Sequence, residues 1–226
     1  KAEDPDADRV VLTRSQIEIY LGRPSFADDV LAHQGTPGVV MGLAWTAFGG
    51  SVLFVEAIAI PGTAGFQHTG QLGDVMAESS IIAFSVAHSN AAKYKIDEDF
   101  FKAHKIHLHV PAGATPKDGP SAGITMASAL ISMATGQPVP THLAMTGELT
   151  LTGAVLPVGG IREKMVAAKR SSVVDVIMPA TNRTDYEEIP ESVREGIHAH
   201  FVDDFNTVHR LLFRGGLEKL RAQRKD

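Results

Sequence analysis

Ser121 stands in a stretch whose residue types could turn a serine into a nucleophile. It follows Pro120 within Ala114-Thr-Pro-Lys-Asp-Gly-Pro-Ser-Ala-Gly123, and a largely apolar run continues to Thr135. Proline presets the backbone for a first helical turn and lacks the N–H that a helix start leaves unpaired. We therefore predict that Ser121 lies in the first turn of a buried helix, where backbone N–H groups could hold an oxyanion. A Pro-Ser pair that merely starts the helix is the alternative.

The pattern Gly119-x-Ser121-x-Gly123 also matches the nucleophile elbow of α/β-hydrolases. In an elbow the serine directly follows a strand. Here the predicted strand Ile106–Val110 ends several residues earlier, at Pro111, so the match to an elbow is weak. The two glycines still leave room for a substrate carbonyl to approach the backbone.

A serine needs a base, and Lys164 is the candidate. It follows Gly159-Gly160 and lies near the start of a predicted helix over 161–170 with apolar neighbours. Burial and a helix N-terminus both lower the pKa of a lysine. That pKa, ordinarily near 10.4, has to fall by about 2–3 units before a lysine serves as a base near neutral pH. An exposed lysine paired with Glu163 is the alternative.

The elements that must position these residues alternate between strands and helices, which predicts an α/β or α+β fold. Val39–Phe48 and Ser51–Ile60 read as a hairpin joined at Gly49-Gly50. Trp45 lies in the first of these strands and is predicted to be core. Residues 61–73 read as a loop, and residues 214–226 as a charged, solvated tail or weak helix.

Two histidines lie on one face of the predicted strand Ile106–Val110. His107 and His109, with Asp118, could form a metal site, but no nearby Glu or His completes a ligand set. We expect His109 instead to hydrogen-bond at the edge of the site, and predict no metal in this chain.

Composition excludes several classes of function. The chain has 226 residues, a net charge of −5 and no cysteine. The acidic balance gives no sign of nucleic-acid binding, and the missing cysteines exclude thiolate catalysis and disulfides. No Walker A motif is present, the longest apolar stretch is too short to span a bilayer, and the N-terminus does not resemble a signal peptide.

Five motifs resemble the proteolytic domain of Lon proteases, and three of them carry the resemblance in the family's order and spacing. These three are Lys117-Asp-Gly-Pro-Ser-Ala-Gly123, Ala144-Met-Thr-Gly-Glu148 and Leu156-Pro-Val-Gly-Gly-Ile-Arg-Glu-Lys164. Thr36–Trp45 and Thr69–Ser79 are similar to the same family. The departures are Arg162, where a lysine is common, and Ala154, where a larger or basic residue often stands.

The resemblance implies a compact Lon-type domain of mixed short sheets with packed helices over 27–213. It further implies that 1–26 is the end of a preceding AAA+ helical region with a linker. By the same resemblance Ser121 is the nucleophile, Lys164 the general base, and Thr146 a hydrogen-bonding partner near the lysine. The supporting residues are Asp118, Gly119, Ala122, His109 and Glu148.

The resemblance also implies an ATP-dependent serine endopeptidase that degrades misfolded and regulatory proteins. Its partners would be unfolded or damaged proteins and further copies in a hexameric ring. The chain's own sequence indicates neither a membrane nor a nucleic acid as partner. No cofactor is expected in this chain, whereas ATP and Mg²⁺ are implied for the full-length protein. The expected location is the bacterial cytoplasm, with the mitochondrial matrix as an alternative.

Two other functions stay open at this point. One is an α/β-hydrolase in which Ser121 works with Asp175 or Asp203 and with His198 or His209. The other is a ring-forming adaptor in which the dyad is unused.

The position of Asp118 also leaves two interpretations. A carboxylate close to Lys164 would raise the pKa of the lysine, which is the wrong direction for a base. Asp118 therefore either caps the Ser121 helix, or belongs to a loop that alternates between pairing with Lys164 and turning away from it.

Overall fold

The computed structural model describes residues 13, 16, 19, 20, 35–46, 49–111 and 115–222. Residues 16, 19 and 20 are helical, and the N–H of Gln16 donates to the carbonyl oxygen of Thr13 at 2.9 Å. The rest of the region 1–26, predicted to end an AAA+ helical module, lies outside the described residues. By its contacts the chain divides after Leu31, and the unit that follows is described below.

Nine strands occur among the described residues. They are β1 Val39–Thr46, β2 Gly49–Pro61, β3 Gly65–Thr69, β4 His104–His109, β5 Leu143–Met145, β6 Glu148–Leu149, β7 Val155–Leu156, β8 Asp175–Pro179 and β9 His198–Val202. Seven of them form one sheet in the order β3-β4-β2-β1-β5-β8-β9, and β6 and β7 form a separate hairpin.

The sheet is mixed, with β1 as the strand where its two halves meet. β1 pairs antiparallel with β2, as the predicted hairpin requires, and parallel with β5, where Gly42 lies opposite Met145. β2 and β4 are antiparallel, while β5, β8 and β9 run parallel to one another. The predicted α/β class is therefore confirmed.

Eight α-helices accompany these strands in the described part of the chain. They are α1 Asp74–Ser89, α2 Phe100–Ala103, α3 Gly123–Thr135, α4 Ile161–Arg170, α5 Arg183–Glu187, α6 Glu191–Arg194, α7 Phe205–Phe213 and α8 Gly216–Ala222. The helix α3 is buried over its first ten residues, so the prediction of a buried helix is confirmed, and it ends at Gly136 in the left-handed conformation.

Helices lie on both faces of β1. Successive side chains of a strand point to opposite faces of its sheet. Gly42 lies against Thr125 of α3, whereas Trp45 lies against Gly160 at the start of α4. The sheet therefore separates the helix that follows Ser121 from the helix that carries Lys164.

Two local predictions are wrong. Residues 65–69 of the predicted loop form β3, which pairs in parallel with β4 and extends the sheet by one strand. Trp45, predicted to be core, is 57% exposed, because it stands at the end of β1, where Gly160 covers only part of the indole.

The predicted C-terminal tail is partly a packed helix. Leu217 of α8 is fully buried in the hydrophobic core. Arg221, on the same helix, donates from Nε to Oδ2 of Asp175 at 2.8 Å, and His200 lies 2.6 Å from the other carboxylate oxygen. Burial opposes ionisation of Asp175, but the hydrogen bonds from His200 and Arg221 outweigh it and lower the pKa to about 2.

We predict that Arg221→Met destabilises the domain by about 1–3 kcal/mol, because it removes one partner of a fully buried carboxylate. The lowered pKa of Asp175 stabilises the fold at pH values above the ordinary pKa of an aspartate. This stabilisation is lost as the pH falls from about 4 toward 2. The variant should therefore show a smaller loss of stability over that range. Urea unfolding at pH 7, 4 and 3 measures both effects. The control is Lys219→Met, at an exposed position of α8, and an equal loss of stability in the control would contradict the assignment.

Candidate active site

Lys164 is buried in the second turn of α4, with 2% of its surface exposed. Met165, Ala167 and Ala168 beside it are fully buried as well. This burial lowers the pKa of Lys164 from 10.5 to about 8. The direction agrees with the sequence prediction, and the exposed, solvated alternative is wrong.

Two close backbone approaches fix the start of α4 against the β1–β2 hairpin. A Cβ atom at Gly50 would lie 1.9 Å from the carbonyl oxygen of Glu163. One at Gly160, whose φ is +70°, would lie 2.8 Å from Cβ of Trp45. Any larger residue at either position would push the helix away, so the hairpin determines where Lys164 lies.

Thr146 joins Lys164 to the backbone of Ser121. Nζ of Lys164 donates to Oγ1 of Thr146 at 3.0 Å. The same hydroxyl donates to the carbonyl oxygen of Ser121 at 3.2 Å. Thr146 is fully buried directly after β5. A continuous hydrogen-bonded path therefore runs from the lysine side chain to the main chain of the candidate nucleophile.

Ser121 lies just before the helix rather than in its first turn. The helix α3 begins at Gly123 with Ala122 as its N-cap, so Ser121 lies two residues before the first helical residue. The N–H of Gly147 donates to the carbonyl oxygen of Ser121 at 2.8 Å. With the Thr146 hydroxyl, this gives the Ser121 carbonyl two donors from the corner between β5 and β6.

The N–H groups that could hold an oxyanion differ from those expected. Gly123 donates to the carbonyl oxygen of Pro120 at 3.1 Å, and Ile124 to that of Gly147 at 3.2 Å. These two first-turn groups are therefore engaged within the protein. In the part of the chain that the structure describes, no backbone carbonyl accepts from the N–H of Ser121 or Ala122, which leaves these two as the candidates.

Asp118 caps a helix, but not the one predicted. Its Oδ1 accepts from the N–H of Met76 at 2.9 Å and from the N–H of Gly119 at 2.8 Å. Met76 lies in the first turn of α1. Hydrogen bonds from Met76 and then Gly119 hold the pKa of Asp118 below its ordinary value. Of the two interpretations of Asp118, the cap of the Ser121 helix is wrong, and the alternating loop stays a prediction. Gly73 offers no side chain to cap α1 and leaves the space that the carboxylate fills.

His107 and His109 lie together on β4. One ring nitrogen of each histidine lies within hydrogen-bond distance of Oγ1 of Thr69. The distance is 2.9 Å for Nε2 of His107 and 2.7 Å for Nδ1 of His109. No group of three His, Cys, Asp or Glu side chains suited to a metal occurs among the described residues. Glu148 is half-buried in β6, directly after the Thr146–Gly147 corner.

Two of the four residues proposed for a Ser–His–Asp triad have other partners. The carboxylate of Asp175 bonds to His200 and Arg221. His209 packs between the rings of Tyr94 and Phe213, and burial lowers its pKa to about 4. The strand before Ser121 ends at His109, so Ser121 does not stand on a strand–helix elbow.

Sequence reasoning missed Gly147, which acts through its backbone N–H, and Lys117, which acts through its backbone and its ammonium group. Gly147 bonds to the Ser121 carbonyl, and Lys117 bonds to the segment 70–73. Both lie inside the motifs that carry the family resemblance, so the motifs were the available signal. A backbone donor leaves no chemical signature of its own in the residue type.

Comparison with known proteins gives a consistent result. Residues 11–215 match the family described as the Lon protease (S16) C-terminal proteolytic domain. The chain is 51% identical over 207 residues to Lon protease 1 of Syntrophotalea carbinolica, which covers 91% of this chain and 25% of that protein. It is 50% identical over 207 residues to the mitochondrial Lon protease homolog 1 of Arabidopsis thaliana, covering 90% of this chain and 22% of that protein. The Lon protease of Protochlamydia amoebophila is 50% identical over 203 residues, covering 89% and 24%. The chain thus spans about a quarter of the length of these relatives.

We predict that Thr146→Val lowers the pKa of Lys164 further below about 8, because it removes the oxygen that accepts a hydrogen bond from the ammonium form. It should also destabilise the domain by about 1–3 kcal/mol. Selective ¹⁵Nζ NMR titration of the lysines and thermal unfolding measure the two effects. Thr135→Val is the control, since that hydroxyl bonds only to helix carbonyls. An unchanged or raised pKa of Lys164 would count against the contact.

Proposed function

Because the chain belongs to the family of the Lon protease (S16) C-terminal proteolytic domain, we propose that Ser121 and Lys164 form the nucleophile–base pair of a serine endopeptidase. The observation that carries the proposal is the hydrogen-bonded path from the buried Lys164 through Thr146 to the backbone of Ser121. This path connects a lysine of lowered pKa to the serine that lies directly before the N-cap of α3.

The lowered pKa gives the lysine its chemical role. With a pKa of about 8, roughly half of the Lys164 side chains are neutral at pH 8 and about a tenth at pH 7. An ordinary lysine near 10.4 would be neutral in fewer than about one molecule in a thousand at pH 7. Burial therefore supplies the neutral amine that a general base requires.

The reaction has two stages. Neutral Lys164 takes the hydroxyl proton of Ser121 as Oγ attacks a peptide carbonyl carbon, and the C–N bond breaks as the ammonium returns that proton to the leaving amine. A water molecule then attacks the acyl ester with Lys164 again as base, which releases the acid and restores Ser121. The N–H groups of Ser121 and Ala122 hold the oxyanion in both stages.

The activity of the longer protein is a wider proposal. We propose that an upstream AAA+ module uses ATP and Mg²⁺ to unfold damaged and regulatory proteins, and that six copies form a ring around the proteolytic sites. The family resemblance supports this proposal. The chain itself spans about a quarter of the length of these relatives.

For the location we propose the bacterial cytoplasm, with the mitochondrial matrix as the alternative that the plant relative's name supports. None of the helices in the described part of the chain is long and apolar enough to cross a membrane.

The central test is Ser121→Ala, which should abolish cleavage of a fluorogenic peptide and labelling by a fluorophosphonate probe. The fold should persist, with a change in unfolding free energy of no more than about 1 kcal/mol. Peptide mapping of the labelled wild-type chain should place the probe on Ser121. The control is Ser85→Ala, at a hydroxyl that bonds only to a carbonyl of its own helix. A wild-type chain that is not labelled would favour the unused-dyad adaptor instead.

The pH profile tests the base. Because the neutral form of Lys164 is the active one, the rate should rise with pH about a midpoint near 8 and then level off. Lys164→Arg should abolish cleavage at every pH, since a guanidinium stays protonated. A rate limb well below pH 8 that disappears when His198 or His209 is replaced by Ala would support a histidine base and contradict the lysine.

A further inference from the structure

Lys117 is bound by its backbone to the turn that precedes α1. Its N–H donates to the carbonyl oxygen of Gln71 at 3.1 Å, and its own carbonyl oxygen accepts from the N–H of Gly73 at 2.7 Å. The two bonds form a parallel bridge between Leu72 and Lys117. This bridge lies four residues before Ser121.

The side chain of Lys117 reinforces the same contact. Its Nζ donates to the carbonyl oxygen of Gly70 at 2.9 Å and to that of Thr115 at 3.1 Å. The ammonium thus ties the turn to the segment that leads to Ser121. Burial lowers the pKa of Lys117, whereas the carbonyl acceptors favour its charged form.

Gly70 is the point where both ends of that segment meet. A Cβ atom at Gly70 would lie 2.3 Å from the carbonyl oxygen of Val110, so the residue after β4 touches Gly70 directly. Lys117 bonds to the carbonyl oxygen of the same residue through its ammonium group. Gly70 therefore contacts both Val110, directly after β4, and Lys117, four residues before Ser121.

We infer that Lys117 is a positioning residue that holds Ser121 in place by fastening the preceding segment to the turn Gly70–Gly73. Ser121 is then anchored on two sides, upstream by this clamp and downstream by the donors of Thr146 and Gly147. Lys117 is not among the groups that bond to Lys164, so its effect on the chemistry acts through the position of Ser121. The inference rests on the proposed function and names a further residue on which it depends.

The physical consequence is a dependence of rate on geometry. A displacement of a reacting group by about 1 Å can lower a rate about a hundredfold. Without the Lys117 ammonium, the segment before Ser121 keeps its backbone bridge to Leu72 but loses the side-chain hydrogen bond to Gly70. The chemical step should slow, while peptide binding and the pKa of Lys164 should hardly change.

The test compares Lys117→Met, which keeps the apolar stem and loses the donors, with Lys117→Arg, which keeps donors. We expect Lys117→Met to lower kcat for a short fluorogenic peptide by about tenfold to a hundredfold, with KM within about twofold and the midpoint of the pH profile unmoved. Lys117→Arg should restore at least part of kcat. The control is Lys102→Met, at a lysine whose side chain is 68% exposed, and it should match the wild type.

Several results would overturn the inference. They are a folded Lys117→Met chain with kcat within twofold of the wild type, a raised KM at unchanged kcat, or a shifted midpoint near pH 8. An unfolded Lys117→Met chain would replace the positioning role with a structural one. If the wild-type chain itself fails to cleave peptides or label Ser121, the proposed function fails. In that case hydrogen exchange of the Gly73 N–H still tests the clamp, and exchange no faster in Lys117→Met than in the wild type would refute it.

Discussion

The site depends on one buried ammonium group kept in contact with one hydroxyl. Shifting the pKa of Lys164 from 10.5 to about 8 corresponds to roughly 3 kcal/mol by which the folded chain disfavours the charged lysine. The surrounding structure has to supply that free energy, because a lysine free to reach water would regain its ordinary pKa. Thr146 offers the ammonium form an acceptor, which prevents a still larger cost. The same hydroxyl bonds to Ser121, so the group that limits the penalty also sets the position of the nucleophile.

Close packing of backbones makes this arrangement rigid. The absence of side chains at Gly50 and Gly160 lets the β1–β2 hairpin touch the first turn of α4. On the other face of β1, Gly42 admits Thr125 of α3. The strand β1 is thus held between the helix that bears the base and the helix that follows the nucleophile. A small shift of β1 would move Lys164 and Ser121 relative to each other.

The sequence alone predicts the chemistry of the site better than its geometry. The direction of the Lys164 pKa follows from its apolar neighbours and its contact with Thr146 from the motifs, while the dyad stays a proposal drawn from the same motifs. The exposure of Trp45 does not, because an apolar residue in a strand is exposed or buried according to what packs on its face. The partner of Asp118 does not either, since a carboxylate accepts equally well from two helix starts and only the tertiary fold brings Met76 to it. Likewise, the burial of Leu217 could not be predicted, because the residues around it are mostly charged and only the tertiary fold packs this helix on the core.

The mixed sheet has a consequence for the order in which the chain folds. β1 and β2 are neighbours in sequence and can pair as soon as both exist, whereas β1 meets β5 only when residue 42 finds residue 145. Pairings between distant segments form slowly because a long loop must be closed first. Thr146 directly follows β5, and Ser121 takes its downstream hydrogen bonds from the corner after that strand. The proteolytic centre is therefore assembled by the late, long-range half of the sheet, and a chain that has folded only its local hairpin has no organised centre with which to cut its neighbours.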